Sequence, residues 1–161
     1  MVGILLNKMR GYMIRKIIKY PNSKLRLISE PVQKVDKSIR RLIRDMVSSM
    51  IKGHGIGLAA PQVGVAKRII VLSSTLARIS IINPEIVERG GDSLLEEGCL
   101  SLPKVLKIKR RSNKVKVIGL DIYGKDFSID AEGLFARVLQ HEIDHLDGIL
   151  IIDKGEKYGI K

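Results

Sequence analysis

The chain has 161 residues, 45% hydrophobic and 29% charged, and a formal net charge of +12 at pH 7. That length and balance fit one compact domain with its own core and exclude a disordered chain. No apolar run approaches the ~18 residues that cross a bilayer, and the single cysteine, Cys99, excludes an internal disulfide and suits a reducing cytoplasm.

Charge is concentrated at the start. Residues 1–52 hold 13 Lys/Arg against 3 Asp/Glu, so this third carries +10 of the total. Such asymmetry points to a polyanion such as RNA or anionic lipid, or to a solubilising face. With aromatics at 4% and no Trp, any RNA contact is expected at phosphates, without sequence specificity. Within Met1–Arg15 the apolar patch Val2–Leu6 precedes its charges, and no small-residue cleavage site follows. The stretch therefore does not read as a secretory signal; a basic organellar presequence is the alternative, though the stretch lacks the serines usual in one. We read residues 1–12 as an extension ahead of a start at Met13, and residues 13–161 as one domain in a bacterial-type cytoplasmic protein.

The first clear element is an amphipathic helix over Lys37–Lys52. Ile39, Leu42, Ile43, Met46, Val47, Met50 and Ile51 recur at helical spacing. Asp36 is the expected cap and Gly53 the expected stop. Arg40, Arg41, Arg44 and Lys52 fall largely on the opposite face. Gly53–Gly64 follows as a glycine-rich loop. Lys67–Leu72 reads as a buried strand. Ile79–Ile82 and Glu85–Glu88 read as two more, broken by Asn83-Pro84. Gly90-Gly91 marks a turn, and Val105–Arg110 and Lys114–Ile122 alternate as strands. Tyr123–Asp126 is a hairpin turn into Phe127–Asp130. A second helix runs from about Ala131 to Leu146, with Leu134, Val138, His141 and His145 on one face. Strands clustered between two helices give an α+β domain, mixed or antiparallel.

That helix carries His141-Glu142-Ile143-Asp144-His145. Two imidazoles four residues apart can hold one metal ion, with Glu142 in reach of a water on it. A catalytic site needs a third protein ligand. Residues 146–161 contain no His, and Glu156 is the only downstream Glu. The remaining soft ligand is Cys99, in Glu97-Gly98-Cys99-Leu100-Ser101. Alone, Cys99 reads as a small buried hydrophobe; beside H-E-x-x-H it becomes the third ligand. Small residues at Gly55, Gly57, Ala59 and Ala60 either let a peptide approach the backbone or form a tight turn. Gln140 either orients a ligand or lies exposed. Asp144 either anchors His141 or meets an arginine.

Three stretches, Gly55–Gln62, Glu97–Ser101 and Gln140–Leu146, resemble the motifs of peptide deformylases in that family's order. Tyr20-Pro21 with Leu25-Arg26, and Glu30-Pro31-Val32, resemble its N-terminal segment. The likeness extends over about Ile14–Asp153 and implies an α+β fold, mixed or antiparallel strands around a central helix carrying H-E-x-x-H with the amphipathic helix before it. It implies that Cys99, His141 and His145 bind one divalent metal, most often Fe(II), with Zn(II), Ni(II) or Co(II) as alternatives. It further implies that a water at the metal attacks the formyl carbon of N-formyl-methionyl nascent peptides, with Glu142 as general acid/base. Gln62 and the Leu100 N–H would hold the oxyanion. Ile56, Gly57 and Gly98 would line the peptide groove, and Ile56, Leu134 and Val138 would form the methionine pocket. Two positions depart from the pattern. Arg137 stands where an apolar pocket residue is expected, its aliphatic stem serving instead. Leu106 stands about where relatives often carry Arg. Some relatives use a longer C-terminal helix at the ribosome, and here the basic N-terminal third would take that part. The rival readings are an H-E-x-x-H metallopeptidase and a basic ribosome- or RNA-associated binding protein.

Overall fold

A computed structural model describes residues 13–74 and 77–153; the extension 1–12 and the tail with Glu156 lie outside the described residues. The first long element is helix α1, Lys37–Lys52. The Asp36 side chain accepts from Ser38 N (2.8 Å) and Ile39 N (3.0 Å), satisfying two of the donors a helix start leaves open. Its stop is Gly53, as expected. Gly53 keeps right-handed backbone, and His54, at φ 57°, takes the left-handed turn.

Strands β1 (Gly57–Ala59), β2 (Ile69–Ser73), β3 (Arg78–Gly90), β6 (Lys114–Leu120) and β7 (Asp126–Glu132) form one antiparallel sheet, in the order β1-β2-β3-β6-β7. Strands β4 (Ser93–Cys99) and β5 (Leu102–Arg111) form a separate hairpin. Helix α2, Gly133–Leu146, follows β7. The result is a mixed α+β architecture with two long helices.

Burial explains the layering. Ile69, Ile70, Val71 and Leu72 are all 0% exposed, so β2 is covered on both faces. Ile70 and Leu72 join Val138, Leu139, Ile143 and Leu146 of α2 in one cluster. Ile69 and Val71 join Leu42, Ile43, Met46 and Met50 of α1 in another. The sheet thus separates the two helices.

Three expectations are corrected. Gly53–Gly64 is not loop throughout: Gly57 pairs with Leu72 in β1, and Ala60–Val63 coil into a short 3-10 turn. Asn83-Pro84 does not end a strand. Asn83, at φ 52°, forms a bulge inside β3, and its amide exchanges two hydrogen bonds with the Val32 backbone. Asparagine tolerates that left-handed conformation, and a bulge accommodates the missing N–H of proline. Finally, Ala131 and Glu132 stay extended because they pair with Val115 and Lys114, which delays α2 to Gly133.

Candidate active site

Three segments distant in sequence converge. Cys99 ends β4, at the tight Leu100–Ser101 turn of the hairpin. His141, Glu142 and His145 lie on α2. Gln62 lies in the 3-10 turn after β1. One candidate ligand atom from each of Cys99, His141 and His145 lies within 4.8 Å of the others, and Cys99 Sγ is 3.2 Å from His145 Nε2. The Gln62 carbonyl oxygen accepts from Ala59 N (2.8 Å), which leaves its amide nitrogen 3.1 Å from Ser101 Oγ and 3.6 Å from Cys99 Sγ. Residues just after Met13 strap these loops together. Ile18 N donates to Gln62 O (2.8 Å), Tyr20 N donates to Ser101 O (2.9 Å), and the Lys19 ammonium donates to Leu100 O.

Glu97, two residues before Cys99, organises the surroundings. It is 6% exposed and accepts from Arg111 Nε (2.7 Å) and Arg137 NH1 (2.6 Å), while its other oxygen lies 3.0 Å from His141 Nδ1. Burial works against its charge, but hydrogen bonds from His141 and Arg111 outweigh that and hold its carboxyl down at about 2. With Nδ1 bonded to Glu97, His141 has Nε2 left for a ligand. Burial also opposes a proton on His141, yet hydrogen bonds to Cys99 and Glu97 raise it to about 10. Burial, with His141 and Arg111 nearby, lowers His145 to about 3. His145 Nδ1 has no hydrogen-bond partner among the described residues. One sulfur and two nitrogen donors crowded around a single point fit a soft or borderline divalent cation.

Glu142 is 4% exposed, and burial pushes its carboxyl up to about 7. Its Oε2 has no partner among the described residues. The backbone of β1 passes close over it. A Cβ placed at Gly57 would lie 2.3 Å from Glu142 Oε1 and 2.8 Å from Val138 Cγ1, so only glycine fits above this carboxyl.

These groups border a cavity of about 530 Å³. Of the residues singled out from sequence, Ile56, Gly57, Gln62, Gly98, Cys99, Leu100, Leu134, Val138, His141 and Glu142 line it, as do Arg137 and Leu106, while His145 lies behind its wall. Ile56 (50% exposed), Leu134 (62%) and Leu106 (59%) give it an apolar rim.

The expectation for Arg137 is incomplete. Its guanidinium is tied to Glu97, Ser93 O and Lys109 O, and the residue is 3% exposed. Asp144 meets Arg111 (2.7 Å) rather than His141. Gln140, 3% exposed, serves neither of its expected parts: it bonds Ser112 in both directions and holds the β5–β6 turn on α2. The sequence reading missed Glu97 and Arg111 as site residues. A signal existed for Glu97, an acid between Glu96 and Gly98 in a motif already singled out; Arg111, within a basic run, carried none.

Comparison with known proteins places this arrangement. The polypeptide deformylase family model matches residues 14–159. A peptide deformylase from Thermodesulfovibrio yellowstonii is 49% identical over 146 residues, 88% of each chain. The crystal structure of a peptide deformylase from Legionella pneumophila is 47% identical with a TM-score of 0.84, covering 87% of this chain and 85% of that one. A class I type b peptide deformylase from Acinetobacter baumannii, crystallised with Met-Ala-Ser bound, is 32% identical with a TM-score of 0.82, covering 87% of this chain and 97% of that one.

Proposed function

This chain belongs to the polypeptide deformylase family and is a deformylase enzyme, and from that premise we propose that it hydrolyses the formyl group from N-formyl-methionyl nascent peptides with Glu142 as general acid/base. One observation carries the proposal: Cys99 from one hairpin and His141 and His145 from one helix bring their ligand atoms within 4.8 Å of one another. A buried carboxyl stands beside them on a groove that accepts a peptide.

Cys99, His141 and His145 are the residues proposed to hold the metal, Fe(II) first and Zn(II), Ni(II) or Co(II) as alternatives. When bound, a divalent cation there supplies Lewis-acid polarisation and makes water more acidic. Glu142 takes a proton from the attacking water and returns it to the leaving amine, a task suited to a carboxyl that burial has raised to about 7. The formyl C–N bond breaks, and the products are formate and a free amino terminus. The Gln62 amide and the Leu100 N–H are the proposed donors to the charge growing on the formyl oxygen. Ile56, Gly57 and Gly98 form the proposed backbone groove. Ile56, Leu134 and Val138, with the stem of Arg137, surround the methionine side chain. Residues 13–161 act as one cytoplasmic catalytic domain around the α2 helix.

The test is formate release from formyl-Met-Ala-Ser by anaerobically purified protein. Turnover that depends on Glu142 and stops with a chelator supports the proposal. No turnover by protein holding one metal per chain overturns it. A ferrous enzyme with a thiolate ligand loses activity faster in air than under argon, whereas equal lifetimes argue against iron and for zinc instead.

The basic N-terminal third, with exposed Lys16, Lys19, Lys24, Arg41 and Lys52, is proposed to meet ribosomal phosphates. Co-sedimentation with ribosomes that falls as salt rises supports this; none at low salt refutes it.

A further inference from the structure

The hairpin carrying Cys99 is not part of the five-stranded sheet, so no ladder of backbone hydrogen bonds joins it to that sheet. Its placement against α2 depends on side chains. We propose that Arg137 is a positioning residue that sets the distance between the strand holding Cys99 and the helix holding His141 and His145. The inference rests on reading those three residues as one metal-binding set.

The geometry is that of a clamp. Arg137 stands one helical turn before His141, and its two terminal nitrogens each make two contacts. NH1 donates to Glu97 Oε1 (2.6 Å) and Lys109 O (2.9 Å). NH2 donates to Ser93 O (2.7 Å) and Ser93 Oγ (3.1 Å). One planar fork from the helix therefore grips both strands of the hairpin, β4 at two points and β5 at one. A guanidinium holds such geometry rigidly, and an ammonium cannot.

Glu97 closes the ring. Its second oxygen meets His141 Nδ1 at 3.0 Å, so α2, Arg137, Glu97 and His141 form a loop returning to the same helix one turn later. The charges match this arrangement. Arg111 is shared between Glu97 and Asp144, at 2.7 Å each, and Arg137 supplies Glu97 with a second cation. Arg137 is 3% exposed, so these bonds form without competition from bulk water. Without the fork, the hairpin keeps its Arg111–Asp144 tie to α2 but loses its anchors at Ser93, Glu97 and Lys109, and Glu97 loses one of its two cations; both changes loosen the seat of a cation.

The test compares wild type with Arg137→Met, which keeps the stem and loses the fork, and Arg137→Lys, which keeps a charge. Each is loaded with Co(II), and affinity is measured by competition with a chelator. Co(II) absorption, thermal melting of the metal-free protein and the kcat and KM for formyl-Met-Ala-Ser complete the set. Arg137→Met is expected to weaken Co(II) binding by about 10–100-fold, as loss of an outer-shell support typically does. Its Co(II) absorption bands shift, and kcat falls while KM moves less. Arg137→Lys is expected to lie nearer Met than wild type. Wild-type Co(II) affinity and spectrum in both variants, with only a lower melting temperature, overturns the proposal and leaves Arg137 a packing residue. If Met fails to fold, the Lys variant alone decides by the same Co(II) criteria. Wild-type protein that binds Co(II) but releases no formate refutes the deformylase reading, and the Co(II) measurements still judge the clamp.

Discussion

Replacing Gly57 by alanine adds one methyl group at the tightest point of the site. The new Cβ would lie 2.3 Å from Glu142 Oε1, 2.8 Å from Glu142 Cδ and 2.8 Å from Val138 Cγ1. Comfortable contacts between carbon atoms lie at about 3.5–4.0 Å, so the Glu142 carboxyl has to retreat by roughly 1 Å. Val138 blocks the alternative of moving the strand, since it packs in the core below Ile70 and Leu72. A displacement of about 1 Å at a reacting group typically costs about 100-fold in rate, and overpacking a filled site costs about 1–3 kcal/mol of stability. The assay is kcat for formate release from formyl-Met-Ala-Ser, with thermal melting to confirm the fold. Gly98→Ala is the comparison, because its Cβ meets only the end of Leu106, at 3.3 Å, besides a Val105 carbonyl at 4.0 Å. We expect kcat to fall about 100-fold in Gly57→Ala and far less in Gly98→Ala. A folded Gly57→Ala protein with wild-type kcat would show that the position of the Glu142 carboxyl does not limit the rate.

Three further outcomes follow from the same geometry. Glu142→Gln preserves shape but removes the proposed proton carrier, so kcat is expected to drop by about 100- to 10,000-fold, with KM little changed in steady-state assays. Gln62→Leu removes an amide donor and its bonds to Ala59 and Ser101; losing such a donor costs roughly 100-fold or more in kcat, read in the same assay. Asp36→Ala opens the start of α1, far from the chemistry, and is expected to lower stability by about 1 kcal/mol in denaturant unfolding while leaving kcat intact.

What the sequence disclosed followed local rules. The spacing from Ile39 to Ile51 predicts a helix over Lys37–Lys52, and α1 has those bounds because its cap and its apolar stripe are both local signals. The two histidines four residues apart likewise declare their shared helical face. What stayed hidden depended on partners. Leu94-Leu95-Glu96-Glu97 doubles its residue types instead of alternating them, and becomes strand only because Leu94–Glu97 pair with Lys107–Arg110. Asn83-Pro84 reads as a stop, and becomes a bulge because Val32 satisfies the asparagine side chain. Arg137 reads as a misplaced pocket residue until Glu97, 40 positions earlier, is seen beside it. Long-range ion pairs of this kind leave no periodic trace in a chain.

The split origin of the proposed donor set also has a consequence for how the protein refolds. His141 and His145 meet as soon as one turn of α2 forms, but Cys99 lies 46 residues from His145 and arrives on a separate hairpin. Helical turns form early and locally, whereas closing a long loop is slower. In a full-length chain refolding from denaturant, the proposed set therefore offers two nitrogens before the thiol joins them. A cation that favours imidazole pairs, copper above all, is expected to compete best when added before the hairpin docks, and a thiol-seeking one when added after. The timing of metal addition, and not affinity alone, is then expected to show in which ion the refolded protein holds.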